Sequence, residues 1–219
     1  MTTVACVWVQ GHVPYPREYV TRLAAMVAQH LTRPYTFVCL TDQPAALPAG
    51  IVPVRIPSPA GLKGWWSKLE LFNPAHALAI AGRVLYLDLD TLIVGPLEDL
   101  LDVPAPFALA PHGGTFTGKD GLAVVPRFNS SVMVWDAGAC DALYTAWRPA
   151  VAARLWGDQD WIGEVWSDAY AMSAPWFPRL SSIGAAGVIP PAARVILAKK
   201  PKNLEAAARW PWFASRWGA

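Results

Sequence analysis

Residues 83–94 read Arg-Val-Leu-Tyr-Leu-Asp-Leu-Asp-Thr-Leu-Ile-Val, an apolar run cut by two acids one residue apart. Its β-branched and aromatic residues, free of Gly and Pro, predict a buried strand. The two-residue period of a strand puts Asp88 and Asp90 on one face and turns Leu89 to the other. Two like charges that close, at the mouth of a buried strand, repel one another and lose hydration. A divalent cation relieves both effects. Hard carboxylate oxygens suit Mn2+ or Mg2+, which complete their coordination with water and phosphate oxygens. A strand that ends in two solvated acids before a turn would carry the same tripeptide.

Outward from this run, short apolar stretches at residues 4–9, 35–40, 51–56 and 131–135 alternate with helix-length segments. That alternation predicts an α/β fold, a largely parallel sheet covered by helices. Over residues 18–31, Val20, Leu23, Ala24, Val27 and Leu31 recur at helical spacing, which gives one face that can lie on the sheet. Proline clusters at the junctions, as at 14/16, 57/59 and 190/191, and marks loops between elements. The long connections 111–121 and 178–191 are candidate lids or binding loops. With no internal repeat, residues 1–219 are expected to form one domain, which a basic, Trp-rich segment over 194–219 extends or packs on.

At 54% hydrophobic, 16% charged and a mean hydropathy of +0.27, the chain is too apolar to be mostly disordered. No run reaches the length of a membrane span; the most apolar one, residues 75–87, contains His76 and Arg83 and reads as a helix end followed by a core strand. The N-terminus reads as a first core strand, with no secretory signal. Cys6, Cys39 and Cys140 are odd in number and widely spaced, which suits reduced thiols and a soluble, cytoplasmic protein. Six of the 18 basic side chains but one of the 16 acidic ones fall in residues 194–219, among Trp210, Trp212, Phe213 and Trp217. This segment can hold an anionic partner or a sugar acceptor, touch a membrane surface peripherally, or dock its aromatics on the core. The remainder is net acidic, which argues against a nucleic-acid partner.

Three further segments follow in order around the acidic strand: Gly64-Trp-Trp-Ser-Lys-Leu-Glu-Leu-Phe72, Phe128-Asn-Ser-Ser-Val-Met-Val134 and Gly157-Asp-Gln-Asp160. With Asp88-Leu89-Asp90 they make a set that resembles the GT-A glycosyltransferases, in particular the family-8-like group that includes glycogenin and related galactosyltransferases. The resemblance spans roughly residues 4–166. It implies a Rossmann-like fold, a nucleoside-diphosphate sugar donor, UDP-linked in most such enzymes, a saccharide or other hydroxyl acceptor, and Mn2+ or Mg2+ held by Asp88 and Asp90 beside the diphosphate. It further implies hexosyl transfer with retention of configuration, which needs no conventional base.

Individual residues then take expected places. The loop from Gln10 to Tyr15 and the turn at Asp42 would hold the nucleoside, an aromatic ring for stacking and a carboxylate for ribose hydroxyls; a loop tyrosine and a turn aspartate would look alike. Lys68 can reach the domain edge and meet a phosphate as a point charge, with Leu69 and Phe72 at the inward spacing. Asp88, Leu89 and Asp90 complete the donor contacts of that strand. Asn129, Ser130 and Ser131 suit hydrogen bonds to sugar hydroxyls, and equally suit a polar turn. By resemblance Asp158 and Gln159 face the transferred sugar and are the catalytic candidates, although Asp158 could be a helix cap and nothing more. Trp65, Trp66 and Trp161 are candidates for the acceptor side; the Trp pair after Gly64 can also cap the core.

One segment departs from the family. Where a histidine near a Lys-Pro pair normally completes the metal site, this chain reads Arg194-Val-Ile-Leu-Ala-Lys-Lys-Pro-Lys-Asn203, with Ala198 or a neighbour in its place. Lys199 and Lys200 would then supply positive charge to the diphosphate directly, and His112 is a remote substitute ligand. The missing ligand keeps a second function open, a weakly active or non-catalytic nucleotide-sugar-binding protein. A third possibility, a haloacid-dehalogenase-like phosphatase, shares an apolar strand ending in Asp-x-Asp but normally carries it on its first strand, and Leu92 fits that motif poorly.

Overall fold

In the computed structural model residues 1–10, 15–56, 62–119, 121, 123–124, 126–198 and 201–218 are described. The first half builds β1 (Thr2–Trp8), α1 (Glu18–His30), β2 (Thr36–Thr41), β3 (Val52–Arg55), β4 (Arg83–Leu87), β5 (Thr91–Ile93) and α2 (Glu98–Leu101). The second half adds β6 (Phe107–Pro111), the short hairpin β7 (Phe116–Thr117) and β8 (Ala123–Val124), β9 (Phe128–Asp136), α3 (Ala142–Thr145), α4 (Pro149–Arg154), α5 (Asp158–Val165) and β10 (Tyr170–Ala171). Then come α6 (Leu180–Ile183), β11 (Val195–Leu197), α7 (Pro201–Ala207) and α8 (Pro211–Trp217).

Seven strands form the main sheet in the order β10-β6-β9-β4-β1-β2-β3. β9 runs antiparallel to both neighbours, and the other pairings are parallel. The predicted mostly parallel α/β sheet is therefore present, with one reversed strand inside it. Both faces of this sheet are covered, which explains why its central strands are apolar at nearly every position. Alternation along β1 sends Val4, Cys6 and Trp8 to a core shared with α1, and Ala5 to a second core under Trp66, Phe72 and Trp135. β4 divides the same way: Leu85 and Leu87 enter the first core, Val84 and Tyr86 the second. α1 lies on the first core through Tyr19, Val20, Leu23, Met26 and Val27. Cys6 and Cys39 stand opposite each other on β1 and β2, and all three cysteines are buried and free.

Some elements differ from the sequence expectation. The helix over residues 64–72 is a nine-residue 3-10 stretch that begins with Gly64 at φ +61°. A stretch of this length is unusual; its residues from Trp66 to Phe72 are all buried, so tertiary packing sustains it. The connection 178–191 holds α6, whose Leu180 and Ile183 enter the core, and is not a bare loop. The prolines at 104 and 106 hide β6, which starts immediately after them.

The C-terminal segment docks on the core. Phe213 and Trp217 are buried, and the Trp217 ring meets Tyr19 edge-on at 5.2 Å with the Arg22 guanidinium 5.5 Å from its centroid. Trp212 donates to Gly184 O at 3.1 Å and lies so close to Gly187 that a Cβ there would sit 2.4 Å from the indole. Gly187 also has φ +69°, so that turn requires glycine twice over. Lys202, Arg209 and Arg216 remain at the surface. Among the described residues no helix is long and apolar enough to cross a membrane.

Candidate functional site

The chain lays β1, β2 and β3 outward in one direction and then returns to place β4 on the other side of β1. At such a switch point the loops leaving adjacent strands diverge and open a crevice at the carboxyl ends, where ligands of open α/β sheets bind. The residues immediately after β1 and β4 include Gln10, Asp88 and Asp90.

β4 stops at Leu87, and Leu89 and Asp90 lie in a turn that Thr91 secures by donating its hydroxyl to Asp88 O at 2.7 Å. The turn divides the two carboxylates, which the strand period alone would have placed alike. Asp88 sits over the second core, where Oδ1 accepts the Tyr86 hydroxyl at 2.5 Å and lies 3.1 Å from Lys68 Nζ. Asp90 sits toward the first core, with the Tyr15 hydroxyl beside it. Leu89 is buried in that core, leaving its main chain as the part that can reach a ligand. Burial and the neighbouring Asp88 charge, against the influence of Tyr15, raise the Asp90 carboxyl from 3.8 to about 7. Burial and both carboxylates push the Tyr15 phenol up.

Lys68 is 9% exposed and stands between two acids, 3.1 Å from Asp88 and 3.2 Å from Asp158 Oδ2. Ser130 adds its hydroxyl at 3.2 Å and its carbonyl at 3.4 Å. Burial alone would lower the ammonium, but the Asp158 and Asp88 charges outweigh it and hold it above its ordinary range. Its ring neighbour is Tyr86, 5.3 Å from Nζ to the centroid. Asp158 opens α5 without capping it: Gly157 occupies the cap position and makes no side-chain bond. Burial raises the Asp158 carboxyl, against the pull of Lys68. Its buried Oδ2 has the ion pair but no hydrogen bond of proper geometry, so an acceptor atom is left unsatisfied at the site. Gln159 lies half-buried beside it.

β9 closes the crevice from the other side. Asn129 Oδ1 accepts from Ser131 N at 2.8 Å, and Ser131 O accepts from Asp88 N at 2.9 Å, so this trio fixes the acidic turn. At the β1–β2 corner Asp42 accepts the exposed Gln10 N at 3.3 Å with each oxygen. Thus Gln10, Asp42, Tyr15, Asp88, Asp90, Lys68, Asn129, Ser130, Ser131 and Asp158 all lie around the ends of β1, β2, β4 and β9. Trp65 is exposed, whereas Trp66 and Trp161 are 7% and 8% exposed with their rings in the second core. That burial leaves neither ring a face to offer an acceptor. Lys199 and Lys200 lie outside the described residues. Tyr86 was not anticipated, although its place two residues before Asp88 on one strand face carried the signal.

The site's suitability for a cation follows from its donor set. Asp88 and Asp90 offer hard oxygens, and burial together with the neighbouring Asp88 charge disfavours the ionised Asp90 carboxyl in the absence of a cation. No group of three or more His, Cys, Asp or Glu suited to a metal occurs among the described residues, and His112 Nδ1 lies 3.1 Å from Gly114 O. Ala198, whose N donates to Asp90 O at 3.3 Å, stands next to the acidic turn because β11 pairs antiparallel with β5. Two carboxylates fit an ion that arrives with its phosphates, since Mg2+ is commonly held by one or two carboxylates and substrate oxygens. A surface cleft of about 510 Å³, lined by Thr21, Tyr35 and Gly50 among others, lies at the opposite end of β2 and has no carboxylate, imidazole, ammonium or guanidinium in its lining.

No protein-family model and no curated protein matches the sequence. Solved structures do match. The galactosyltransferase LgtC, solved with donor and acceptor sugar analogues, superposes with a TM-score of 0.67 at 13% identity over 99% of this chain and 95% of its own. The glycosyltransferase GlyE of Streptococcus pneumoniae TIGR4 gives 0.61 at 16% identity over 92% of this chain, and the bifunctional glycosyltransferase WbbM gives 0.61 at 12% over 99%. The matched regions are 56% and 51% of those two longer chains. With its seven-stranded mixed sheet, the chain has the GT-A glycosyltransferase fold.

Proposed function

We propose that this protein is a glycosyltransferase that takes a hexose from a nucleoside-diphosphate sugar, with UDP as the first nucleotide to test, and transfers it to a hydroxyl acceptor. The observation that carries this reading is the Asp88–Lys68–Asp158 array, with Lys68 and Asp158 buried, at the switch point of a GT-A sheet. Packing alone does not call for a buried Lys68–Asp158 pair beside the Asp88 carboxylate at one crevice, and clustered charges of this kind are common at ligand sites.

Gln10, Asp42 and Tyr15 line the flank suited to the nucleoside, Asp42 as a partner for ribose hydroxyls. Asp88 and Asp90 would hold Mn2+ or Mg2+, which supplies charge neutralisation to the diphosphate when bound. Lys68 adds a permanent positive charge from the opposite side and keeps Asp158 oriented. Asn129, Ser130 and Ser131 offer short polar groups along the transferred sugar. Asp158, with an unsatisfied oxygen, and Gln159 face that sugar as the catalytic pair, and the transfer retains configuration. Lys199 and Lys200 would reach the diphosphate where Ala198 replaces a third ligand. Trp65 belongs to the acceptor side. We place the reaction in the cytoplasm, in keeping with three reduced cysteines, and leave peripheral membrane contact to the surface lysines and arginines of the tail.

The test is isothermal titration of UDP with Mn2+ and with EDTA, on the wild type and on Asp88→Asn/Asp90→Asn. Metal-dependent binding that disappears in the double variant is the expected result. No binding of UDP or GDP under either condition rejects the reading. A slow or non-catalytic sugar-nucleotide binder is favoured by one observation, the engagement of Asp88 by Lys68. Donor hydrolysis or transfer separates the two.

A further inference from the structure

Of the 12 tryptophans, only Trp65 and Trp156 are exposed, at 44% and 48%, and they touch. Both are fixed. Trp65 Nε1 donates to Trp156 O at 2.6 Å, and Trp156 Nε1 donates to Thr117 O at 2.9 Å. The Trp65 ring lies against Gly157, where an added Cβ would meet Cδ1 and Nε1 at 3.0 Å. Asp160 accepts Trp156 N at 3.1 Å, and Lys119 Nζ sits 5.4 Å from the Trp156 centroid while bonded to Ala152 O. The indole N–H groups are thus used up on main-chain carbonyls, and apolar ring surface faces water in a held orientation. Such surface is unfavourable for a free protein and suits a ligand that brings a flat apolar face.

Their position narrows that ligand. The Trp65 ring lies against Gly157 and its Nε1 bonds Trp156 O, so the indole pair sits at the start of α5, next in the chain to Asp158. They lie on the β9 and α5 flank, across β4 and β1 from the Gln10–Asp42 corner. We propose that Trp65 and Trp156 form the acceptor platform, with Trp156 as its principal surface, and that the acceptor is a saccharide whose pyranose C–H face lies on the indole. A pyranose combines a face of ring hydrogens with hydroxyls around its edge, so stacking on the indole turns those hydroxyls toward Asp158 and Gln159. A fixed aromatic contributes this contact at little entropic cost. The proposal rests on the glycosyltransferase reading and deepens it to an acceptor class.

The experiment is saturation-transfer NMR of the full chain with methyl β-D-glucopyranoside, methyl β-D-galactopyranoside and methyl α-D-mannopyranoside, alongside UDP titration. The expected result is transfer to the ring C–H protons of at least one glycoside. Trp156→Ala should weaken that binding about tenfold, within the range seen on removing an aromatic stacking partner, and Trp156→Phe should keep it within about threefold. UDP affinity should stay within about twofold in both, because the indole is apart from the nucleoside corner. Absence of transfer from all three glycosides, or equal transfer in Trp156→Ala, overturns the platform. So does a parallel loss of UDP binding, which would assign the indole to the donor. If wild type fails to bind UDP but keeps Trp156-dependent glycoside binding, the donor reading falls and the platform stands.

Discussion

Lys68 and Glu70 lie two residues apart in one 3-10 stretch, both buried, and their surroundings are opposite in kind. Glu70 Oε2 accepts Asn73 Nδ2 at 2.8 Å and lies 3.1 Å from His76 Nε2. Its partners surround it and the network closes on itself. Lys68 serves two carboxylates at once, and Asp158 Oδ2 is left without a hydrogen bond. A satisfied buried network locks a fold, and an incompletely satisfied one at a crevice marks where a ligand completes it.

This contrast can be broken by experiment. The largest expected effect is from Lys68→Ala, which strands Asp88 and Asp158 together. Removing one partner of a buried pair costs about 3–5 kcal/mol, so urea unfolding should show a loss of that order, and UDP binding should disappear with it. If stability is unchanged, the pairs are not formed. Glu70→Ala should cost about 1–3 kcal/mol by leaving its donors unpaired, yet leave UDP affinity within about twofold at distant, uncoupled sites. A large loss of affinity there would end the distinction between the two networks.

Smaller still is a pH effect at Asp90. Its carboxyl is raised from 3.8 to about 7 in the fold, so the folded state binds the proton more tightly than the unfolded chain. Stability of the metal-free protein should therefore fall as pH rises from about 4 to about 7. Asp90→Asn should flatten that fall, and adding Mn2+ to wild type at pH 7.5 should raise Tm. A metal-free Tm that rises through this window by way of Asp90 would contradict the burial of its charge. Last, Asn73→Ala should cost about 1 kcal/mol, because it removes one bond to Glu70 and the one its Oδ1 accepts from Ala75 N.

Much of this was legible in the sequence. β1, α1, β2, β4 and the heart of β9 follow from periodicity, because long apolar repeats on two covered faces dominate local preference. β6 was hidden by flanking prolines, and β10 and β11, at two and three residues, carry too little pattern to recognise. At the site, spacing picked out Asp88 and Asp90 but not their separation by a turn, since a period holds only while the strand lasts. The partnership of Lys68 with Asp158 spans 90 positions and depends on how α5 packs against the 3-10 stretch. Trp156 gave no sign as one of many tryptophans; only its exposure beside Trp65 distinguishes it.

The antiparallel pairing of β11 with β5 has a practical side. It ties Val195 to Ile93 and Ala198 to the Asp90 carbonyl, while α8, which follows after α7, is anchored through Trp217 to α1. The C-terminal tail is thus a strut between the back of the sheet and the acidic turn. A purification tag or fusion partner at this end is expected to load that turn, so tagged and untagged protein should be compared in any measurement of UDP affinity.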